Sequence, residues 1–250
     1  MILKHNFNLN KIKSDLKENG FCIIDNIFEE NINNQFKNVA KENITKYKNK
    51  KFSLHERYFN KSFLDELINS NEIISFFKSI NIDNLSYKGE YNYHFLLNHT
   101  PRSKNNNSKL SFHFDAYLLT MIIPINTDQK QNNTKAMSLE IIPNIRKITN
   151  SMLLNLIYKI FFQNKIFRKF SNSSYFKYFF KSKNIVINFD QIIIFNGFRS
   201  LHSASISKSK LNDEKTRLIF HIFNPFNKNF INNFIFDKIQ KDRDNKVFTK

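Results

Sequence analysis

The chain has 250 residues, 41% of them hydrophobic, which is enough for one sizeable core. No run approaches the roughly 18 consecutive apolar residues of a transmembrane helix, and the N-terminus lacks the apolar centre of a signal peptide. The single cysteine, Cys22, excludes an internal disulfide framework and suits a reducing compartment. We therefore expect one cytoplasmic domain spanning residues 1–250.

The formal net charge is +18, from 39 basic and 21 acidic residues, and it has two interpretations. It can indicate an anionic partner, such as a nucleic acid, a membrane surface or a phosphorylated or carboxylated substrate. It can also reflect a compositional bias, since Lys, Asn, Ile and Phe are abundant while the chain has only three Gly and no Trp. We favour the compositional bias, so charge alone indicates little about function.

The first third of the chain is predicted to be mainly helical around one strand. Residues 9–18 have the pattern of a short amphipathic helix, and Asn19-Gly20 is a typical helix end. The run "FCIIDNIF" at 21–28 predicts a buried strand. The segments that begin "EENINNQ" and "SFLDELI" predict two or three further helices.

From residue 85 the pattern changes to short runs rich in aromatic and β-branched residues, separated by turn-like segments. Their number and spacing predict a β-barrel or a two-sheet sandwich. The eight predicted strands are 91–99, 109–115, 117–125, 136–143, 184–189, 191–197, 201–206 and 216–223.

Residues 145–183 interrupt this series between the fourth and fifth strands. Their apolar residues recur at helical spacing, and their polar positions are almost all Lys, Arg or Asn. The segment is predicted to be a two-helix insertion. It could be a lid, a membrane-surface helix or an anion-binding patch. The reading we favour is that its aromatic face packs on the barrel and its lysines are solvated.

The stretch "SFHFDAY" at 111–117 places His113 two positions before Asp115, so both side chains would project from the same face of a strand. The pair could be a surface accident, a buried hydrogen-bonded couple or two ligands of a mononuclear iron(II) site. Such a site takes two histidines and one carboxylate and leaves further positions open. The third ligand would then be His202, at the start of the seventh predicted strand.

Arg217 lies in the eighth predicted strand, in the largely apolar run "TRLIFHIF". A guanidinium inside a barrel needs an anion, because an unpaired buried charge is very costly. A dicarboxylate bound by both guanidinium nitrogens would supply that anion. His221 shares the face of Arg217 by alternation, and we interpret it as a hydrogen-bonded core histidine.

The order His-x-Asp, a long gap, His and then Arg one strand later resembles the iron(II)/2-oxoglutarate-dependent oxygenases. Within these, the short helix followed by "GFCIIDNIF" looks most like the phytanoyl-CoA dioxygenase group. The resemblance covers most of the chain outside residues 145–183. It implies a double-stranded β-helix, the jelly-roll or cupin-like core, with flanking N-terminal helices and a helical insertion.

The resemblance also implies the ligand set. His113, Asp115 and His202 would bind iron(II), and Arg217 would hold the distal carboxylate of 2-oxoglutarate. Such proteins usually add a hydroxyl, an amide or a second base to that carboxylate site. Our candidates for this role are Thr120 on the third predicted strand and Tyr93 on the first.

The implied activity is hydroxylation of an organic substrate by molecular oxygen. Asp115 favours hydroxylation, since related halogenases carry a small residue at that position. Oxygenases that demethylate nucleic acids carry a second Arg six residues after the first, where this chain has Phe223, so a nucleic acid is not expected. We expect a small, possibly anionic metabolite, sugar or acyl conjugate, with Arg199 and Tyr117 as candidate contacts.

A second hypothesis is a non-enzymatic binding module that keeps the barrel and uses residues 145–183 to bind a membrane surface or nucleic acid. Loss of one ligand would favour it, but the four residues of the pattern are all present. Arg217 is followed by Leu-Ile-Phe, without the Ser or Thr often found two positions later in the family. This departure from the family pattern affects the expected geometry around Arg217, where the distal carboxylate of 2-oxoglutarate would bind.

Overall fold

Two antiparallel sheets form the centre of the protein. The larger sheet has six strands: β1 (Phe21–Asp25), β2 (Phe52–His55), β3 (Tyr93–Thr100), β4 (Leu119–Ile125), β7 (Gln191–Phe195) and β9 (Lys215–Ile222). The smaller sheet has three: β5 (Lys135–Ile142), β6 (Lys183–Asn188) and β8 (Leu201–Ser205). The computed structural model describes residues 2–4, 7–55, 62–84, 91–101, 112–127, 135–149, 151–205 and 215–226.

The strand order is β1-β7-β4-β9-β3-β2 in the larger sheet and β6-β5-β8 in the smaller one, and all pairs are antiparallel. An isolated bridge joins His113 to His202, so the segment around His113 lies beside β8. This architecture confirms the prediction of a mainly β fold with flanking helices.

Four helices cover the outer face of the larger sheet: α1 (Leu9–Asn19), α2 (Glu30–Lys46), α3 (Ser62–Ile68) and α4 (Asn71–Asn84). α1 begins where the Asn8 side chain accepts a hydrogen bond from the backbone N–H of Lys11. It ends at Gly20, whose φ of 74° is a left-handed conformation that glycine adopts without steric cost.

Alternation along β9 decides what lies between the sheets. Leu218 and Phe220 pack in the core beneath the helices, whereas Ile219 packs in a second core between the two sheets. Because side chains alternate between faces, Arg217 and His221 share the inner face with Ile219. The inner face therefore carries a charged and a titratable residue.

The insertion lies between β5 and β6, as predicted, but it contains three helices and not two: α5 (Met152–Gln163), α6 (Lys165–Ser171) and α7 (Ser174–Phe179). Asn164 and Ser173 break the helical run because each side chain accepts a hydrogen bond from a backbone N–H three residues later. Such capping residues start a new helix. No helix in the described ranges is long and apolar enough to cross a membrane.

Two strand predictions differ from the structure. The predicted strand 109–115 begins outside the described residues, and from residue 112 onward it forms only the bridge at His113. β2 was not predicted, because its four residues "FSLH" have no distinctive apolar pattern, and it is held at the sheet edge by pairing with β3.

Candidate metal centre

His113, Asp115 and His202 meet at a cavity between the two sheets. The Nε2 atom of His202 lies 3.5 Å from Oδ2 of Asp115, and the Nε2 atom of His113 lies 3.9 Å from Oδ1. One ligand atom from each residue lies within 4.8 Å of the other two, an arrangement that can hold a single metal ion. The structure thus brings together the three residues predicted from "SFHFDAY" and the seventh strand.

Backbone hydrogen bonds fix the positions of these residues. His113 and His202 each donate their backbone N–H to the other's carbonyl, at 2.9 and 3.0 Å, and their rings lie 4.4 Å apart between centroids. The backbone N–H of Asp115 donates to the carbonyl of Gly197 at 3.0 Å. The ligand-bearing segments are therefore joined to each other at two points.

Gly197 leaves the space that the Asp115 carboxylate occupies. A Cβ atom at position 197 would lie 2.3 Å from Oγ1 of Thr120 and 2.6 Å from Oδ2 of Asp115. Both distances are shorter than a non-bonded contact allows. Glycine is needed here for close approach, a role it commonly has where a backbone passes a functional group.

Thr120 and His221 orient the carboxylate. The Thr120 hydroxyl donates to Oδ2 of Asp115 at 2.6 Å, and its oxygen lies 3.0 Å from Nδ1 of His221. Because a hydroxyl has one proton, the second contact requires His221 to donate from Nδ1. His221 is thus the outer member of a hydrogen-bonded chain that ends on the candidate metal ligand.

The protonation states suit a metal centre. Burial by itself would raise the pKa of Asp115, but the histidines around it and the Thr120 hydroxyl outweigh burial and hold that pKa well below its usual range. Burial lowers the pKa of His202 to about 4, against the opposing effect of Asp115. An ionised carboxylate and a neutral imidazole are the forms that bind metal ions.

The tautomer of His202 also fits a ligand role. Its Nδ1 lies 3.2 Å from the carbonyl oxygen of Ser200, which can only accept, so Nδ1 carries the proton. Nε2 is then unprotonated and directed at Asp115 and His113. A backbone carbonyl that holds the far nitrogen of a histidine is a common feature around protein metal ions.

Arg217 lies in the wall of the same cavity, whose volume is about 170 Å³. It pairs across the sheet with Asn98 of β3, which also lines the cavity. Among the residues that the structure describes, no carboxylate forms an ion pair with Arg217. Burial lowers the pKa of Arg217, the expected effect on a partly buried guanidinium to which the described residues offer no counter-ion.

Of the two residues predicted to bind the distal carboxylate together with Arg217, one lies at the cavity and the other does not. Thr120 lines the cavity, but its hydroxyl is engaged with Asp115 and His221. Tyr93 lies on the opposite face of β3, where its hydroxyl accepts a hydrogen bond from Asn69. The structure therefore does not bring Tyr93 to the cavity, and the alternation of β3 places Asn98 there in its stead.

The two predicted substrate contacts lie outside the cavity wall. The Tyr117 ring stacks on His94 and His221, with centroid distances of 6.1 and 5.7 Å. The Arg199 side chain donates to the backbone carbonyl of Arg146 at 3.3 Å. Tyr117 contacts His221, which lines the cavity. Arg199 instead holds the backbone next to the cavity, at Arg146.

Arg146 is a supporting residue that the sequence did not reveal. Its buried guanidinium donates to the backbone carbonyls of Asp115 and Phe198, and to the side chain of Asn155 in α5 at 2.9 Å. It also lies between two rings, 4.1 Å from the centroid of Phe114 and 3.8 Å from that of Phe198. Arg146 therefore connects the segments that contain Asp115 and Phe198 to α5. In the sequence it stands in a basic stretch without any distinguishing pattern.

Comparison with known proteins gives matches in structure alone. No family model matches the sequence, and no curated protein does either. AviO1 from Streptomyces viridochromogenes Tue57 is 9% identical, with a TM-score of 0.58 over 89% of this chain and 97% of that one. A prolyl-4-hydroxylase from Pseudomonas putida is 8% identical, with a TM-score of 0.53 over 90% and 98%.

An oxidoreductase of the 2OG-Fe(II) oxygenase family from Burkholderia pseudomallei is 9% identical, with a TM-score of 0.52 over 89% of this chain and 95% of that one. At such low identity these matches show the fold. The chain has a jelly-roll core with flanking helices, of the kind found in these oxygenases.

Proposed function

We propose that the protein is an iron(II)- and 2-oxoglutarate-dependent dioxygenase that hydroxylates a small organic substrate. The observation that carries this proposal is the convergence of His113, Asp115 and His202 on a cavity whose wall holds Arg217, for which the described residues offer no carboxylate. The shared fold with a prolyl-4-hydroxylase and a 2OG-Fe(II) oxygenase supports the same chemistry.

The residues present fit iron(II). Two imidazoles and a carboxylate on one side of a metal ion leave positions open for oxygen and a chelating cosubstrate. Among the described residues, the groups that act most on the buried Asp115 carboxylate are three histidines and the Thr120 hydroxyl. When bound, the metal would supply oxygen activation coupled to the conversion of 2-oxoglutarate to succinate and carbon dioxide.

The chain's own residues position the cosubstrate and exclude water. Arg217 would hold the distal carboxylate by a charge-assisted contact, with the Asn98 amide beside it. Apolar side chains from both sheets line the remaining walls and lower the local dielectric, which strengthens that contact. They are Leu96, Ile122, Leu139, Phe195 and Ile219.

The substrate would enter on the side of His113. Its side chain is 42% exposed, whereas the side chains of Asp115 and His202 are 10% and 6% exposed. A cavity of about 170 Å³ is smaller than the roughly 300–1,000 Å³ of pockets for drug-sized ligands. A cavity of this size suits the cosubstrate, and the substrate would lie above it. Of the two predicted substrate contacts, Tyr117 is the nearer, because its ring stacks on His221. We retain the phytanoyl-CoA dioxygenase group as the proposed subgroup, supported by the α1–β1 opening.

The test is iron binding followed under nitrogen. Parent protein with iron(II) should give a weak visible charge-transfer band on addition of 2-oxoglutarate, and His113→Ala and Asp115→Ala should lose it. His99→Asn is the matched control, because His99 is a buried histidine of β3 that contacts Thr216 and Asn49. A band of parental strength in either ligand variant would show that these residues do not bind the metal.

A further inference from the structure

The insertion exposes an unusual amount of apolar surface. Twelve large hydrophobic side chains are exposed in the described part of the chain, and eleven of them lie between residues 153 and 180. Soluble proteins seldom expose large contiguous apolar patches unless a partner covers them. The most exposed are Ile160, Phe161, Ile166, Tyr175, Tyr178 and Phe179, with exposed fractions of 60% to 88%.

This surface is the outer side of well-packed helices. On the inner side, Phe176 is 2% exposed and packs with Phe112, Phe114 and Leu201. The Phe162 ring meets the Phe114 ring edge-on at 5.1 Å. The insertion therefore has its own contact with the core, and the exposed side chains remain after that contact is complete. We call them the outer face.

The charged residues of the insertion all have one sign. Positions 145 to 183 contain nine Lys and Arg and no Asp or Glu. Lys177 is paired with Glu140 of β5, at 2.7 Å, whereas Lys169 and Lys181 are exposed. A surface that combines apolar and basic side chains in this way complements a membrane with anionic headgroups.

Two other occupants fit less well. A second copy of the chain in a two-fold contact would bring the basic residues against themselves, which is repulsive. A single-stranded nucleic acid would use basic and aromatic side chains for phosphates and bases. A nucleic acid would leave the exposed aliphatic residues without a favourable contact. These include Ile157, Ile160 and Ile166, which are 54%, 65% and 83% exposed.

We propose that the outer face of α5–α7 binds the surface of an anionic lipid bilayer, with its apolar side chains inserted at the headgroup level. Binding would be peripheral. Because Phe114 lies between His113 and Asp115 and packs on Phe162, one layer of helix, about 10 Å thick, would separate the candidate metal centre from the lipid.

The test is co-sedimentation of the full chain with vesicles. Parent protein should pellet with vesicles of phosphatidylcholine and phosphatidylserine, and pellet much less with phosphatidylcholine alone. Binding should fall steeply between 50 and 500 mM salt, since screening weakens contacts between exposed charges. The triple variant Ile166→Ser, Tyr178→Ser, Phe179→Ser should bind at least tenfold more weakly.

Val186→Ser is the matched control, because Val186 of β6 is the one exposed large hydrophobic in the described residues outside the insertion, 45% exposed. It should bind vesicles like the parent. The proposal is overturned if the parent does not pellet with anionic vesicles, or if the triple variant pellets equally well. It is also overturned if the parent is a dimer that the triple variant makes monomeric, or if oligouridine binds the parent and vesicles do not.

Discussion

Arg217 and Gly197 show how single residues define the candidate site. Arg217 is the β9 residue whose guanidinium lies in the wall of the cavity, and the described residues offer it no carboxylate. Gly197 has no side chain, and that is what permits Asp115 and Thr120 to meet. One residue contributes a charge and the other contributes space, so their substitution should have different consequences.

Arg217→Met should weaken 2-oxoglutarate binding and leave iron binding intact. A buried charge-assisted hydrogen bond contributes about 1.5–3 kcal/mol, so affinity should fall roughly ten- to a hundredfold. Without cosubstrate the stability should hold or rise, because the substitution removes a partly buried charge for which the described residues offer no carboxylate. The measurement is titration of 2-oxoglutarate into iron-loaded protein under nitrogen. Arg199→Met, outside the cavity, is the control, and equal affinities for parent and Arg217→Met would refute the role of Arg217.

Gly197→Ala should impair the metal centre. The new methyl group would meet the Thr120 hydroxyl and the Asp115 carboxylate, so the carboxylate must move. We expect a loss of iron affinity of at least tenfold, measured by competition with a chelator. Gly20→Ala is the comparison: it meets Pro143 and strains a φ of 74°, so it should lower stability and spare iron affinity in the folded protein. An unchanged iron affinity in Gly197→Ala would contradict the close packing described.

At the level of elements, α7 is attached to the smaller sheet by a partly buried ion pair. The Glu140 carboxylate of β5 receives Nζ of Lys177 at 2.7 Å and the Ser182 hydroxyl at 2.9 Å. The side chains of Glu140 and Lys177 are 9% and 30% exposed. Loss of the lysine would leave a largely buried carboxylate with one hydroxyl donor, so the two residues should depend on each other.

Lys177→Met should therefore lower the free energy of unfolding by about 1–2 kcal/mol, after allowance for the exposure of the lysine. Lys177→Met with Glu140→Leu should recover most of this loss, because no carboxylate remains buried. Urea unfolding of the parent, both single variants and the double variant gives the coupling energy. Additive effects of the two substitutions would mean that the ion pair does not hold α7 to the sheet.

At the level of the whole molecule, the sequence indicated the residues that line the cavity better than it indicated the residues that support them. Alternation and the cost of an unpaired charge pointed to Arg217, and the i, i+2 spacing pointed to His113 and Asp115. The face of Tyr93 could not be read, since β3 carries apolar residues on both faces. The role of Arg146 could not be predicted, because its partners are two backbone carbonyls and an amide side chain. Such partners produce no recognisable sequence pattern.

Metal binding should stabilise the whole molecule. Iron(II) at about a hundred times its dissociation constant would add roughly 2.7 kcal/mol, which corresponds to a rise of about 5–10 °C in the melting temperature of a chain of this size. Anaerobic thermal unfolding with and without iron(II) measures the shift. His202→Ala should show none, and a shift of parental size in that variant would place the bound metal elsewhere.

The pairing of His113 with His202 also bears on how the protein is made. Residue 113 leaves the ribosome long before residue 202, and synthesis proceeds at roughly 5–20 residues per second. The candidate metal centre therefore stays incomplete until residue 202 has left the ribosome. The full set of three candidate ligands can hold iron only after β8 has emerged and paired with the segment of His113. A nascent chain stalled before β8 would expose two of the three ligands, a form from which a chelator should remove the metal readily.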